Sequence, residues 1–283
     1  MSERYEGGRP GLGRREVLTI AAASAAAWAV LPTSSAQGAS ESKTMVDPAS
    51  IKGILFDVQG TTVDFYATIL RKGDVFTRAH GIEADWTRIA DQWRTEYRRL
   101  LDQIIAGTIP WRSTDQIYRE GLDTLLATYD WGPKLSAADR DQLNAVWSQL
   151  EPWPDTRPGL DRLAKKFTIS TLSNGSMASV VSIAKLGQLP FDCILTAELV
   201  KSSKPDPKVY ALGQNALALK PEQLLMVACH KYDLAGAKKF GFNTAFIPRP
   251  LEFGPKGKVD LTPEPYFDLM ANDFVDLAGK LGA

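Results

Sequence analysis

Cysteine and histidine are scarce, with two of each in 283 residues. Two thiols cannot build a disulfide scaffold or a cysteine-rich zinc site. Cys193 and Cys229 lie in separate apolar runs that read as different strands, so two buried thiols are expected rather than a disulfide. An excess of charge is lacking too: Lys+Arg and Asp+Glu both number 33, for a formal net charge of zero. So balanced a chain has no general attraction for DNA, RNA or anionic lipid. No apolar run reaches the ~20 residues that span a bilayer. An Ala-rich run, Val17 to Leu31, is weakly hydrophobic and too short to span. What is present is an ordinary globular mix, 44% hydrophobic and 23% charged, with enough apolar side chains for a core.

The N-terminus reads as an address. Arg14 and Arg15 precede the apolar run, Pro32 breaks it, and Ser34-Ser35-Ala36 offers small residues to a signal peptidase. Residues 1–36 resemble a bacterial twin-arginine signal. The expectation is a mature chain that folds first, leaves through the twin-arginine export machinery and works in the periplasm without stable membrane association. An uncleaved amphipathic helix or anchor is the alternative. Removing residues 1–36 takes four arginines and three glutamates, leaving 29 basic and 30 acidic side chains.

The remainder alternates. Ile51 to Val58 is a short apolar run carrying Asp57, followed by Gly60-Thr61-Thr62, which reads as a buried strand and a tight turn. Trp86, Ile89, Trp93, Tyr97, Leu100, Leu101 and Ile104 then recur at helical spacing between about Ala84 and Ala106. Thr114 and Ser136 are candidate caps for two further helices, to about Tyr129 and Leu150. His80 reads as a loop residue. Beyond Pro152-Trp153-Pro154, strand-like runs at Phe167–Leu172, Cys193–Thr196, Leu224–Ala228 and Asn243–Ile247 alternate with helix-like segments, one opening at Lys204-Pro205-Asp206-Pro207. Such alternation predicts an α/β fold with a Rossmann-like parallel sheet. The core comprises 51–65 and 154–283, and 66–153 form an inserted α-helical cap. In parallel sheets ligands sit beyond the carboxyl ends of the strands. Asp57, Ser173 and His230 fall at such ends, and Lys204 at a loop-to-helix junction, where a cap can close over them and exclude water.

Phe56-Asp57-Val58-Gln59-Gly60-Thr61, Thr171-Leu172-Ser173-Asn174-Gly175, Lys204-Pro205-Asp206-Pro207 and Asp233 resemble, in order, the four motifs of the haloacid dehalogenase superfamily. Most members are magnesium-dependent phosphatases with a second aspartate two residues after the nucleophile. Here that residue is Gln59, which transfers no proton, and Ala228 to Asp233 offers a single carboxylate to a cation that wants several oxygens. The pattern is instead similar to the type II (S)-2-haloacid dehalogenases. That resemblance implies a small 2-haloacid substrate, no metal or other cofactor, an aspartyl ester intermediate, an (R)-2-hydroxyacid product and a homodimer.

Carried over residue by residue, the resemblance makes Asp57 the nucleophile, with Thr61 beside it. It makes Lys204 the cation that keeps Asp57 ionised, and Asp233 an orienter of Lys204 or of the hydrolytic water. Ser173 and Asn174, with the backbone around Val58, fix the substrate carboxylate; the first two also suit an N-cap. Arg94, in Gln92-Trp93-Arg94, faces the leaving halide, unless it is an exposed helix arginine like Arg98 and Arg99. Trp111 packs near the substrate or in the core, Tyr210 reaches the active-site carboxylates, and Tyr232 walls the pocket. His230 stands where the best-known pattern has asparagine, either as general base for ester hydrolysis or as a hydrogen-bonding replacement. Gln59 replaces the usual pocket aromatic, and Ala228 a frequent serine. A magnesium-dependent phosphatase or phosphonatase of the same superfamily, and a non-catalytic binder of small carboxylates, are the competing readings.

Overall fold

A computed structural model describes residues 46–283, so the signal-like segment lies outside the described residues. The central sheet is five-stranded and parallel, in the order β4-β1-β5-β6-β7. Its strands are β1 (Gly53–Phe56), β4 (Thr168–Thr171), β5 (Leu224–Ala228), β6 (Asn243–Phe246) and β7 (Leu269–Met270). A strand buried on both faces needs apolar residues throughout, and β1 and β5 are buried at every position. Helices α5 (Thr156–Leu163), α6 (Met177–Leu186), α7 (Pro207–Leu217), α8 (Lys231–Phe240) and α9 (Phe274–Lys280) complete the α/β core.

Between β1 and β4 lie α1 (Phe65–His80), α2 (Trp86–Ile105), α3 (Thr114–Leu126) and α4 (Ala137–Asn144). The chain leaves and re-enters through a two-stranded antiparallel ribbon, β2 (Val63–Asp64) against β3 (Glu151–Pro152). The inserted segment is therefore helical apart from β3. On the far side of the insertion, Asp115 of α3 accepts from the hydroxyls of Ser176 and Ser179 at the start of α6 (2.6 and 2.7 Å). Thr114 Oγ1 also donates to the Asn174 carbonyl.

Several local expectations are corrected. Cys193–Thr196 is no strand: only single bridges, Ser170 to Cys193 and Ser173 to Thr196, form there. Cys229 is buried, but Cys193 is only partly so; both are free thiols. Ser113, not Thr114, caps α3, because its hydroxyl accepts from Gln116 N while Gln116 accepts from the Ser113 amide. His80 ends α1 rather than lying in a loop. Its ring stacks on Phe76 at 3.9 Å and bonds Asp139 (3.1 Å) and the Phe76 carbonyl (2.9 Å). A helix run of Phe65 to His80 and the edge strand β7 were not anticipated individually. Among the described residues no helix is long and apolar enough to cross a membrane.

The loop after β6 is pinned to the loop after β1 by Arg249. Its Nε donates to the Thr61 carbonyl (2.9 Å), and its two Nη atoms bind Asp155 at 2.7 and 2.9 Å. Burial alone would raise the Asp155 pKa, but the guanidinium holds it below the usual carboxylate range. Removing one partner of a mostly buried pair strands the other's charge, so Asp155→Ala is expected to cost about 3 kcal/mol of unfolding free energy. A shift in urea midpoint at unchanged slope would register it; a change under about 0.5 kcal/mol would mean that water replaces the carboxylate.

Candidate active site

β1, β4 and β5 all end at one edge, and the loops that follow supply the site. Asp57 follows β1 and is nearly buried. Its Oδ1 accepts from Lys204 Nζ (2.9 Å), and its Oδ2 from Thr61 Oγ1 (2.7 Å) and from the His230 Nδ1 side of the ring (3.0 Å). Thr62 Oγ1 fixes the Asp57 carbonyl (2.6 Å), and Gly60, at φ 89°, turns the loop. Burial works to raise the Asp57 pKa, but Lys204, His230 and Thr61 together hold it well below the carboxylate range. Asp57 is thus ionised at neutral pH.

Lys204, only 1% exposed, also donates to Asp233 Oδ2. Burial disfavours its charge; Asp233 and Asp57 more than restore it, so the pKa is raised. Asp233 is pushed up by full burial, with Asp57 adding to the shift, since the two carboxylates share one ammonium. Tyr210 is fully buried and its hydroxyl donates to Asp233 Oδ1 (3.0 Å). Tyr210 thus meets an active-site carboxylate, but from behind Asp233, and it is not among the residues that line the pocket. Asn174 Oδ1 accepts from the Lys204 amide (2.8 Å), tying the second motif to the third. Ser173 Oγ accepts from Gly175 N (3.0 Å) and the side chain still reaches the pocket wall. The Val58 side chain is in the core, so any substrate contact falls to its backbone.

A cavity of about 750 Å³ opens over Asp57, with Gln59, Arg94, Tyr97, Ser173, Asn174, His230, Tyr232 and Phe253 in its wall. Its volume is in the ordinary range for small-molecule sites. Tyr232 forms the exposed rim and stacks on His230 at 5.6 Å. Arg94 points inward from α2, unlike the exposed Arg98 and Arg99. Its guanidinium carbon lies 4.7 Å from the Phe65 ring centre and 4.9 Å from Tyr97. No carboxylate is within salt-bridge distance of Arg94 among the described residues. With no protein carboxylate to neutralise it, the guanidinium charge is available to a ligand anion. Trp111 is not brought to the pocket. It lines a separate surface cavity with Ile104 and Lys201, because α2 has ended and the chain turned away before it.

Three participants escaped the sequence reading. Tyr118 of α3 accepts from Arg94 Nη1 (2.7 Å) and donates to Gln59 Oε1 (3.1 Å). It is stacked between Tyr97 (4.3 Å) and Trp147 (3.6 Å). Its position on the buried face of α3 looked like core. Glu252, 2% exposed, accepts at Oε1 from the His230 Nε2 side (2.8 Å). Arg249, described above, is the third. Both belong to a loop with no pattern of its own.

Burial acts to lower the His230 pKa. Cys229, Glu252, Tyr232 and the bond to Asp57 raise it, and the balance lies well above the ordinary value. The Cys229 thiol and the Tyr232 phenol are themselves pushed up and stay neutral. Glu252 and Asp57 therefore hold the proton at neutral pH. Cys229, His230 and Glu252 are the cluster of metal-ligating side chains found among the described residues, with donor atoms within 4.8 Å. His230 Nε2 and Glu252 Oε1 stand at hydrogen-bond distance, 2.8 Å. Asp57 and Asp233 share an ammonium, and Gln59 brings no carboxylate.

Fold and site together define a Rossmann-like α/β enzyme whose chemistry centres on one buried, ionised aspartate at the strand ends. The chain belongs to the haloacid dehalogenase-like hydrolases: the model of that family matches residues 51–241. It is 31% identical over 223 residues to (S)-2-haloacid dehalogenase 4A of Burkholderia cepacia, across 75% of this chain and 90% of that protein. An L-2-haloacid dehalogenase crystal structure superposes with a TM-score of 0.79 at 36% identity, over 82% of this chain and 99% of the other. A defluorinating L-2-haloacid dehalogenase also superposes at 0.79, with 34% identity and coverage of 82% and 96%.

Two tests follow from this geometry. Tyr118→Phe keeps the aromatic stack but removes the hydroxyl between Arg94 and Gln59; turnover should fall about tenfold, or ~1.4 kcal/mol, with the fold intact. Unchanged kinetics would show that Arg94 and Gln59 hold their places unaided. A raised folded-state pKa at His230 contributes stability that is full below the unfolded value of about 6.5 and is lost as pH rises through the folded value. Urea unfolding from pH 6 upward should show that decline in the native protein and a shallower one in His230→Asn. Parallel curves would rule out the coupling.

Proposed function

We propose that this enzyme hydrolyses the carbon–halogen bond of short (S)-2-haloacids, giving (R)-2-hydroxyacids without a metal. The observation that carries the reading is the opposition of Asp57, held ionised by Lys204, to Arg94, a pocket cation without a carboxylate partner. One is a nucleophile and the other a receptor for the charge that leaves. Similarity to proteins named (S)-2-haloacid dehalogenase supports the same assignment.

The substrate carboxylate is received by Ser173, Asn174 and nearby backbone amides. An Asp57 oxygen attacks the halogen-bearing carbon in line, the C–O bond forms as the C–halogen bond breaks, and halide leaves toward Arg94. Positioning and exclusion of bulk water make a carboxylate competent for this displacement. Water then attacks the carbonyl carbon of the ester, releases the hydroxyacid and restores Asp57. Lys204 and Asp233 stay as a fixed charge pair throughout. Phosphoryl transfer is disfavoured because Gln59, tied to Tyr118, stands where an acid/base is needed.

Fluoride is a second leaving group that one feature favours. Oε1 of Gln59 is occupied by Tyr118, so what Gln59 has left to offer a guest is its amide N–H groups, beside those of Arg94 in the same pocket wall. Hydrogen-bond donors suit the smallest and most strongly accepting halide, and a relative at 34% identity is described as defluorinating. The reading also includes export: the Arg14–Arg15 pair and the run from Val17 to Leu31 support a periplasmic enzyme comprising residues 37–283. A homodimer belongs to the same reading.

The test is halide release from (S)- and (R)-2-chloropropionate, and from fluoroacetate, with excess EDTA. Release from the (S) isomer and not the (R), abolished in Asp57→Ala, is the expected result. Release that requires added magnesium, or none from any haloacid, would overturn the assignment.

A further inference from the structure

The buried carboxylate of Glu252 has no part in the displacement step. It nevertheless receives the imidazole of His230 at 2.8 Å, while the other ring nitrogen lies 3.0 Å from Asp57 Oδ2. Carboxylate, imidazole and nucleophile form one line. The sequence is built to admit it. A Cβ on Gly60, where φ of 89° already favours glycine, would stand 2.6 Å from Glu252 Oε1 and 3.3 Å from His230 Cε1, so a larger residue would push the carboxylate from its place. The Glu252 amide donates to the Arg249 carbonyl (3.0 Å), and Arg249 is in turn clamped to Asp155 and Thr61. The Cys229 thiol approaches the second oxygen of Glu252 at 3.7 Å. An exposed surface glutamate would need none of this.

Resting on the dehalogenase reading, we propose that Glu252 is the positioning residue that makes His230 the base for hydrolysis of the Asp57 ester. Accepting from Nε2–H, it fixes the tautomer whose free lone pair, on Nδ1, faces Asp57. The proton balance closes over one turnover. At rest the imidazolium donates to Asp57 and Glu252. Alkylation cancels the Asp57 charge, so His230 loses one of its two anions and releases a proton to solvent. Neutral Nδ1 then takes a proton from water as the water oxygen bonds the ester carbonyl carbon. The tetrahedral intermediate collapses, the bond from that carbon to the hydroxyacid oxygen breaks, and the departing alkoxide takes the proton from Nδ1. The carboxylic acid left on Asp57 reprotonates His230 and rest is restored. The sum is haloacid plus water giving hydroxyacid, halide and one proton.

The groups facing His230 are Asp57 after β1, Cys229 and Tyr232 around the start of α8, Glu252 after β6, and the Arg94 cation across the pocket. Glu252 is the carboxylate that remains beside the ring once Asp57 is esterified. Its removal should therefore affect the second half-reaction alone.

The experiment is rapid-mix halide release and intact mass measurement on the mature chain, comparing native protein with Glu252→Gln and Glu252→Asp. For Glu252→Gln the expected result is a burst of one halide per site, accumulation of the Asp57 ester and a kcat at least tenfold lower. kcat/KM, set by halide departure, should be unchanged. The acid limb of kcat should move to lower pH. Glu252→Asp should fall between the two. With only two histidines in the chain, NMR titration of labelled imidazoles gives a readout independent of turnover: His230 should titrate lower in both variants and His80 should not move. If Glu252→Gln fails to fold, Glu252→Asp carries both measurements. Native kcat without ester accumulation, equal losses in kcat and kcat/KM, or an unmoved His230 titration would each overturn the proposal while leaving the activity assigned. Native protein that releases no halide would overturn the activity, and this inference with it.

Discussion

An ammonium group with almost no exposure sits between two buried carboxylates, and the site is organised around that fact. Lys204 bridges Asp57 and Asp233, and none of the three could be charged alone in the interior. Their attraction offsets the desolvation of each only if geometry holds. Tyr210 satisfies Asp233 from behind, Thr61 satisfies Asp57 from the side, and Asn174 anchors the lysine backbone. A parallel sheet supplies the rigidity, because β1, β4 and β5 bring three of these loops to one edge. Displacing the lysine would leave two anions a few ångströms apart, and one would take up a proton. An aspartate in that state is no nucleophile.

The helical insertion contributes a different kind of charge. Arg94 is held by aromatic faces and a phenol rather than by an acid, so its field remains available to a guest. The stack of Tyr97, Tyr118 and Trp147 does two tasks. It packs the insertion, and it delivers one hydroxyl to the point where Arg94 and Gln59 meet. The polar Gln59, which looks anomalous where the family has an aromatic, thereby gains a partner in this chain. Its amide is oriented by the insertion and not by the core loop that carries it.

Much of this is legible in the sequence alone. The alternation of short apolar runs with helical spacing predicts the α/β class and its parallel sheet, since a strand covered on both faces must be apolar throughout. Asp57 is readable because it directly follows a strand, and Lys204 and Asp233 because each stands in a motif at the opening of a helix. Trp111 was misplaced because the end of a helix decides direction, and one residue pattern cannot show where α2 stops. Cys193–Thr196 is apolar enough for a strand, but it makes only two isolated bridges at the sheet edge. Tyr210 reaches its carboxylate from the side away from the pocket, a detail that spacing from the lysine does not carry. Tyr118 and Glu252 were illegible for a shared reason: each acts through a contact across 59 or 22 residues of sequence, on an element whose local pattern says only helix or loop.

Two cation–carboxylate pairs flank Asp57, and they differ in kind. Lys204 beside Asp233 keeps its charge, because Asp233 and Asp57 raise the ammonium far from neutrality. His230 with Glu252 can titrate, because its proton depends on how much negative charge surrounds the ring. A reaction in two halves asks for both. Displacement needs an anion at Asp57 and so a cation that never leaves. Hydrolysis needs a proton acceptor beside an ester that has just become neutral. The loss of charge at Asp57 is itself the event that weakens the hold on the His230 proton. On the proposed mechanism, the product of the first half-reaction therefore prepares the base for the second.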